Sequence, residues 1–178
     1  LLDADIFGFS IMQQMGIDQR PTRLDDMMLP PIAHGVKVIS IGMFLEGNEP
    51  VSWRGPMLHK AIEQFLTDVY WGSLDFLIVD LPPGTGDVAI SLGQLLPNAK
   101  VLVVTTADTD SATVAVRSAL ASAKAGQEII GVIENLSWIE SATGEKTALL
   151  GSGGGQKAAE EIEAVTGKSA PLLVQIPL

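Results

Sequence analysis

Cysteine is absent from this chain of 178 residues, and histidine occurs only twice. No disulfide framework can form, and no thiolate is present to hold zinc or an iron–sulfur cluster. His34 and His59 stand far apart and lack the spacing of a metal site, which needs several convergent donors. Basic residues are also scarce: 11 Lys and Arg face 21 Asp and Glu, for a net charge of −10. That balance argues against a general affinity for nucleic acid, whose phosphate backbone calls for a basic surface. It says little about a single nucleotide, which a few local groups can bind. No apolar run reaches the length of a membrane span, and no signal-peptide pattern is seen, so a soluble cytoplasmic protein without a membrane partner is expected.

What the chain does contain is aliphatic. Apolar residues make up 47 % and aromatics only 5 %, a composition that suits buried parallel strands covered by helices. Glycine and proline are scattered between apolar runs and mark turns. The length allows one full core, and a single domain over 1–178 is expected. The chain opens on Leu1-Leu2-Asp3 without an initiator Met and stops just after a strand-like run. It therefore reads as a partial domain, incomplete at both ends.

Periodicity supplies the elements. Leu1-Leu2 reads as the end of a strand opening at Asp3 and Asp5 into a polar loop. Residues 6–35, interrupted by Pro21, Pro30 and Pro31, read as loop and short helix, and 36–44 as a strand. Residues 46–50 read as a turn. Residues 57–70 carry apolar side chains at helical spacing behind Pro56, which suits a first helical turn. A strand is expected over 77–81, a helix over 88–96 and a strand over 100–106. A helix capped by Asp110 or Ser111 then runs to about Ala125, followed by a strand over 129–134. Gly153-Gly154-Gly155 precedes a helix through Val165 that Gly167 closes, and a last strand covers 172–176. This β-α-β-α-β-α-β order predicts an α/β fold, a doubly wound parallel sheet with right-handed crossovers.

The most informative stretch is Phe76-Leu77-Ile78-Val79-Asp80-Leu81-Pro82-Pro83-Gly84-Thr85-Gly86-Asp87. An acid at the C-terminal tip of a buried parallel strand sits where open α/β sheets bind ligands. In P-loop nucleotide hydrolases such an Asp holds Mg²⁺ through water, and a following glycine offers its N–H to the terminal phosphate. A strand followed by an ordinary turn is the alternative. Asp3 and Asp5 after the first strand and Asn135 after a later one would gather at the same edge. Acids there can position a metal and an attacking water, and an Asn amide can both donate and accept, as an adenine edge requires. A helix cap at Asp3 or Asp5 and a turn at Asn135 are equally open readings.

Five motifs occur in order: Leu2-Asp3-Ala4-Asp5-Ile6-Phe7-Gly8, Trp53-Arg54-Gly55-Pro56-Met57, Asp80-Leu81-Pro82-Pro83-Gly84-Thr85-Gly86-Asp87, Gly131-Val132-Ile133-Glu134-Asn135-Leu136-Ser137 and Gly151-Ser152-Gly153-Gly154-Gly155. Together the chain resembles the Mrp/ApbC group of ATP-binding iron–sulfur cluster carriers, relatives of the MinD/ParA ATPases. The resemblance spans nearly the whole sequence. It implies a P-loop NTPase fold, ATP hydrolysis with Mg²⁺, a nucleotide-dependent homodimer and iron–sulfur client proteins. It also implies roles. Asp5 matches the switch I acid that orients the attacking water, and Asp3 its neighbour close to Mg²⁺. Asp80 matches the Walker B acid, Gly84 the switch II glycine that senses the γ-phosphate, and Asn135 the residue that recognises adenine. Arg54 lies in a family motif without a role derivable from the residues.

Two departures accompany the resemblance. The family's Lys-Gly-Gly-Val-Gly-Lys-Ser/Thr-type P-loop, which the resemblance places upstream of Asp3, is missing, and Gly153-Gly154-Gly155, followed by Gln156-Lys157-Ala158, is no substitute and reads as a close-packing turn. The chain by itself is therefore expected to bind ATP weakly and, with strands left unpaired beside the missing P-loop strand, to be unstable or to aggregate. The family's Cys-x-x-Cys pair is missing as well: residues 138–146 contain no thiol. A regulatory or partitioning ATPase of the MinD/ParA kind and a non-catalytic interaction domain are the alternative functions.

Overall fold

The computed structural model describes residues 1–6, 8–45 and 55–178. Phe7, the turn expected at 46–50, and Trp53 and Arg54 of the second motif lie outside the described residues. The chain forms two units, Leu1–Pro82 and Pro83–Leu178, each described by itself. Both are α/β, with parallel strands and helices, as the periodicity predicts.

The first unit is built on a short parallel sheet. Strand β1 (Leu2–Asp3) is central. After a one-turn helix α1 (Ile11–Gln14) come two hairpins, β2 (Thr22–Leu24) with β3 (Met27–Leu29) and β4 (Ile32–Ala33) with β5 (Val36–Lys37). β6 (Ile39–Ser40) flanks β1 on one side and leads into a 3₁₀ turn, Ile41–Phe44. α2 (Gly55–Thr67) follows, and β7 (Val79–Asp80) flanks β1 on the other side. Leu2, Val38, Ile39, Ile41 and Ile62 are almost fully buried, each contributing roughly 2 kcal/mol of apolar burial.

Two expectations change here. Within the residues 6–35 expected as loop and short helix, 22–24, 27–29 and 32–33 are strands of two hairpins. Asp25 turns the first hairpin at φ 52°, His34 and Gly35 turn the second at φ 52° and 77°, and positive φ at the centre matches the strand twist in two-residue hairpins. The strand expected over 36–44 is broken. Its first two residues pair backwards with β4, Ile39–Ser40 pair with β1, and the Ser40 hydroxyl then accepts the Gly42 N–H at 3.2 Å and starts the 3₁₀ turn.

The second unit runs α3 (Asp87–Leu95), β8 (Lys100–Thr106), α4 (Thr109–Lys124), β9 (Glu128–Asn135), a small hairpin β10 (Ile139–Glu140) with β11 (Lys146–Thr147), α5 (Gly154–Thr166) and β12 (Leu172–Gln175). The sheet order is β12-β9-β8, all parallel. The cap of α4 is Asp108, whose carboxylate accepts the Ser111 N–H at 2.8 Å, and not Asp110 or Ser111 as expected. One face of the sheet packs on α4 and α5 through small residues, Ala112, Ala119, Ala158 and Ala159, around Val132 and Ile162. On the other face Leu102, Val104 and Leu173 are 47, 58 and 52 % exposed.

The glycine run packs as the sequence suggests. A Cβ on Gly154 would meet the Thr106 carbonyl oxygen at 2.5 Å, and one on Gly155 the Glu134 Cβ at 2.8 Å. The backbone of α5 thus seats directly on the tips of β8 and β9, which only glycine permits. A second tripeptide, Gly167-Lys168-Ser169, has P-loop composition but closes α5: Gly167 is its left-handed C-cap at φ 66°. Helix C-termini present carbonyl oxygens, so this place repels phosphate.

Candidate functional site

In the first unit the parallel register sets Asp3 beside Asp80 on one side and beside Ser40 on the other. The pairing is held by the Leu2 N–H on the Ile78 carbonyl at 2.8 Å and the Ala4 N–H on the Asp80 carbonyl at 2.9 Å. The Asp3 carboxylate is fully buried. Its Oδ2 accepts the Ser40 hydroxyl at 2.9 Å and its Oδ1 the Asp5 N–H at 3.2 Å. Asp5 in turn accepts the Gly8 N–H at 2.9 Å. A Cβ on Gly8 would stand 2.8 Å from the Asp5 Oδ2, so glycine is what lets the loop fold back over this acid.

Three carboxylates therefore share one end of the β6-β1-β7 sheet. Burial pushes the Asp3 carboxyl above the ordinary value, and repulsion from Asp5 adds to it, while the Ser40 and Asp5 bonds pull the other way. Burial also raises Asp80, reinforced by repulsion from Asp3 and Asp5. Among the described residues no cation pairs with Asp3 or Asp80. Burial and mutual repulsion left uncompensated are what a divalent cation relieves. No three His, Asp or Glu side chains among the described residues form a cage on their own. The donor set suits Mg²⁺, which keeps waters and takes one or two carboxylates plus substrate phosphates.

This arrangement costs stability. Asp3→Asn is expected to raise the stability of the full-length protein by on the order of 1 kcal/mol at neutral pH. A carboxyl with a raised folded pKa destabilises the fold above that pKa, and the penalty disappears as pH falls through it. The gain should therefore shrink as pH drops through the raised Asp3 value toward the ordinary carboxylate range. Thermal unfolding across that window checks the sign.

Gly84 and Asn135 belong to the second unit. Gly84 adopts φ 97°, and its N–H donates to the Ser118 hydroxyl of α4 at 3.0 Å. Ser118 itself donates to the Val114 carbonyl at 3.3 Å. Asn135 ends β9 in register with Thr106, and its Oδ1 accepts the Leu136 N–H at 2.9 Å. Leu136 is left-handed at φ 56°. The turn-former reading of Asn135 is thus realised locally, and no acceptor meets its Nδ2 among the described residues. Sequence reasoning missed Ser40, Ser118 and Glu134, the partners that hold these positions. Isolated hydroxyls carry no periodic signal, but a glutamate among the apolar residues of β9 was a visible one.

With this geometry in place, the sequence matches the family described as ParA, NUBPL iron-transfer P-loop NTPase, over residues 1–178. The chain belongs to that family. It is 56 % identical over 178 residues to the iron-sulfur cluster carrier protein of Mycobacterium leprae (strain TN), covering all of this chain and 46 % of the relative. It is 48 % identical over 179 residues to the protein of the same name in Bacillus subtilis (strain 168), covering all of this chain and 49 % of the relative. The chain spans about half the length of these curated relatives. A solved nucleotide-binding protein from Archaeoglobus fulgidus, in complex with ADP, superposes with a TM-score of 0.77 at 28 % identity, over 99 % of this chain and 68 % of that one. The P-loop NTPase fold class expected from the motifs holds. Among the described residues no helix is long and apolar enough to cross a membrane.

Proposed function

We propose that this chain is the catalytic-acid portion of an ATP-dependent iron–sulfur cluster carrier, acting in the cytoplasm as a nucleotide-dependent homodimer. The observation that carries the ATPase reading is the clustering of Asp3, Asp5 and Asp80 at one sheet end, with Asp3 buried, Asp3 and Asp80 raised by burial and mutual repulsion, and no cation paired with Asp3 or Asp80 among the described residues. Asp80 and Asp3 would hold Mg²⁺ through water, and the ion would supply charge neutralisation for phosphoryl transfer. Asp5 accepts a hydrogen bond from the attacking water and orients it. The Gly84 N–H exchanges its Ser118 acceptor for a γ-phosphate oxygen. Asn135 takes the adenine edge. The triphosphate's backbone cradle comes from a P-loop outside these residues.

The cluster is cargo. Thiolate ligands for it are supplied from outside this cysteine-free chain, and client proteins receive it. The names of the relatives support this part of the reading. The absence of cysteine favours one alternative, a regulatory or partitioning ATPase of the MinD/ParA kind. Magnesium-dependent ATP hydrolysis by the full-length protein, together with transfer of a reconstituted cluster to an apo-ferredoxin-type acceptor, tests the proposal. Hydrolysis with transfer is expected. Hydrolysis without cluster uptake would leave the regulatory ATPase, and no hydrolysis would contradict both.

A further inference from the structure

Glu134 is a buried carboxylate that the proposed hydrolysis does not use. It is 1 % exposed, and no cation pairs with it among the described residues. Its Oε2 accepts the Gly155 N–H in the first turn of α5 at 2.7 Å, and its Oε1 accepts the Gln175 amide on β12 at 2.8 Å. Its backbone carbonyl accepts the Ile176 N–H at 2.8 Å and the Ser137 hydroxyl at 3.0 Å. Burial alone would raise this carboxyl, but the bonds from Gly155, Gln175 and Ser137 outweigh it and hold it below the ordinary value. One residue thus ties the tip of β9 to α5, to β12 and to the loop that follows.

The next two residues show what the tie serves. A leucine at φ 56° is strained, and such conformations persist only where the surroundings over-determine them. The Leu136 N–H, which lies in the Asn135–Leu136 peptide plane at the tip of β9, meets the Asn135 Oδ1. This contact fixes which end of the amide is oxygen, because a flipped amide would set Nδ2 against an N–H donor. The order of donor and acceptor matters to a purine. Adenine offers an amino donor beside a ring-nitrogen acceptor, whereas guanine offers an oxygen acceptor beside an N–H donor.

We propose that Glu134 is a positioning residue for purine selection: by anchoring the β9 tip to α5 and β12 it holds the Asn135–Leu136 peptide, whose N–H presents the Asn135 amide in the orientation that accepts adenine and rejects guanine. The inference rests on the reading of Asn135 as the adenine contact.

The test is equilibrium binding of ATP and GTP, with Mg²⁺, to the full-length protein and its variants, with thermal unfolding alongside. Asn135→Ala is expected to bring the ATP-to-GTP affinity ratio close to one. Glu134→Ala should lower that ratio by about tenfold, equivalent to about 1.4 kcal/mol. Glu134→Gln should restore most of it, since a glutamine oxygen can accept from Gly155 while a flipped Gln175 accepts from its amide. Gln175→Ala, at an exposed position, removes one arm of the tie without emptying the core and should lower the ratio by about threefold. It decides the matter if Glu134→Ala does not fold. A ratio unchanged in folded Gln175→Ala and Glu134→Ala, with Asn135→Ala collapsed, would overturn the role of Glu134 and leave the adenine contact standing. A ratio unchanged in Asn135→Ala would overturn both.

Discussion

In the full-length protein, Asp80→Ala and Asp5→Ala are each expected to slow ATP turnover by about two orders of magnitude or more. The two losses should differ in kind. Asp80 lies beside Asp3 across the β1–β7 register, and removing it halves the negative charge available to a metal. Its loss should therefore raise the Mg²⁺ concentration needed for half-maximal rate as well as lower the rate. Asp5 sits in the loop beyond β1, where its carboxylate is braced by the Gly8 N–H. In the proposed role it touches the attacking water and not the metal. Asp5→Ala should then lower kcat with little change in ATP affinity, the mark of an interaction made in the transition state. Steady-state hydrolysis at varied ATP and varied Mg²⁺ separates the cases. Unchanged rates in either variant would remove that residue's assignment.

The second large effect concerns residues 1–178 expressed on their own. They are expected to bind ATP at least about a hundredfold more weakly than the full-length protein, because backbone N–H groups of a P-loop carry much of the triphosphate binding. They are also expected to aggregate. β7 and β8 each end a sheet, so each presents an edge without a strand partner among the described residues. Beside them Ile78, Leu102 and Val104 are 65, 47 and 58 % exposed. Bare edges next to apolar side chains are templates for pairing with another chain. Calorimetric titration showing micromolar ATP affinity, or a cooperative melt of a soluble monomer by light scattering and circular dichroism, would contradict this expectation.

The parts of this fold that pack by period were legible in the sequence. The run Lys-Val-Leu-Val-Val-Thr-Thr gives β8 at its observed bounds, Lys100–Thr106. Gly167 closes α5 at a left-handed C-cap as expected. Hairpins were harder to read. The His34-Gly35 turn lacks the usual Asn or Asp ahead of glycine, and Asp25 turns its hairpin with no glycine at all. The prolines around both turns pointed to loop. The break at Ser40 depends on a hydroxyl that serves two partners, the Asp3 carboxylate and the Gly42 N–H, a tertiary fact that no local pattern encodes.

Of the candidate site, Asp3 and Asp80 were readable because each ends an apolar strand, with Asp5 in the loop two residues beyond the first. What holds them was not readable. Ser40 under Asp3, Ser118 on Gly84 and Gln175 on Glu134 come from elements far away in sequence. The triple glycine shows the physics in the other direction: its spacing suggested close packing, and the carbonyl oxygens of Thr106 and Asp108 stand where a Cβ would fall.

The most direct test of the metal-and-phosphate account is anomalous diffraction from crystals of the full-length protein grown with Mn²⁺ and a non-hydrolysable ATP analogue. The account predicts a single metal peak about 4 Å from the Asp3 and Asp80 carboxylates, one bound water away, and touching the analogue's terminal phosphates. A metal and triphosphate seated away from these acids would contradict it.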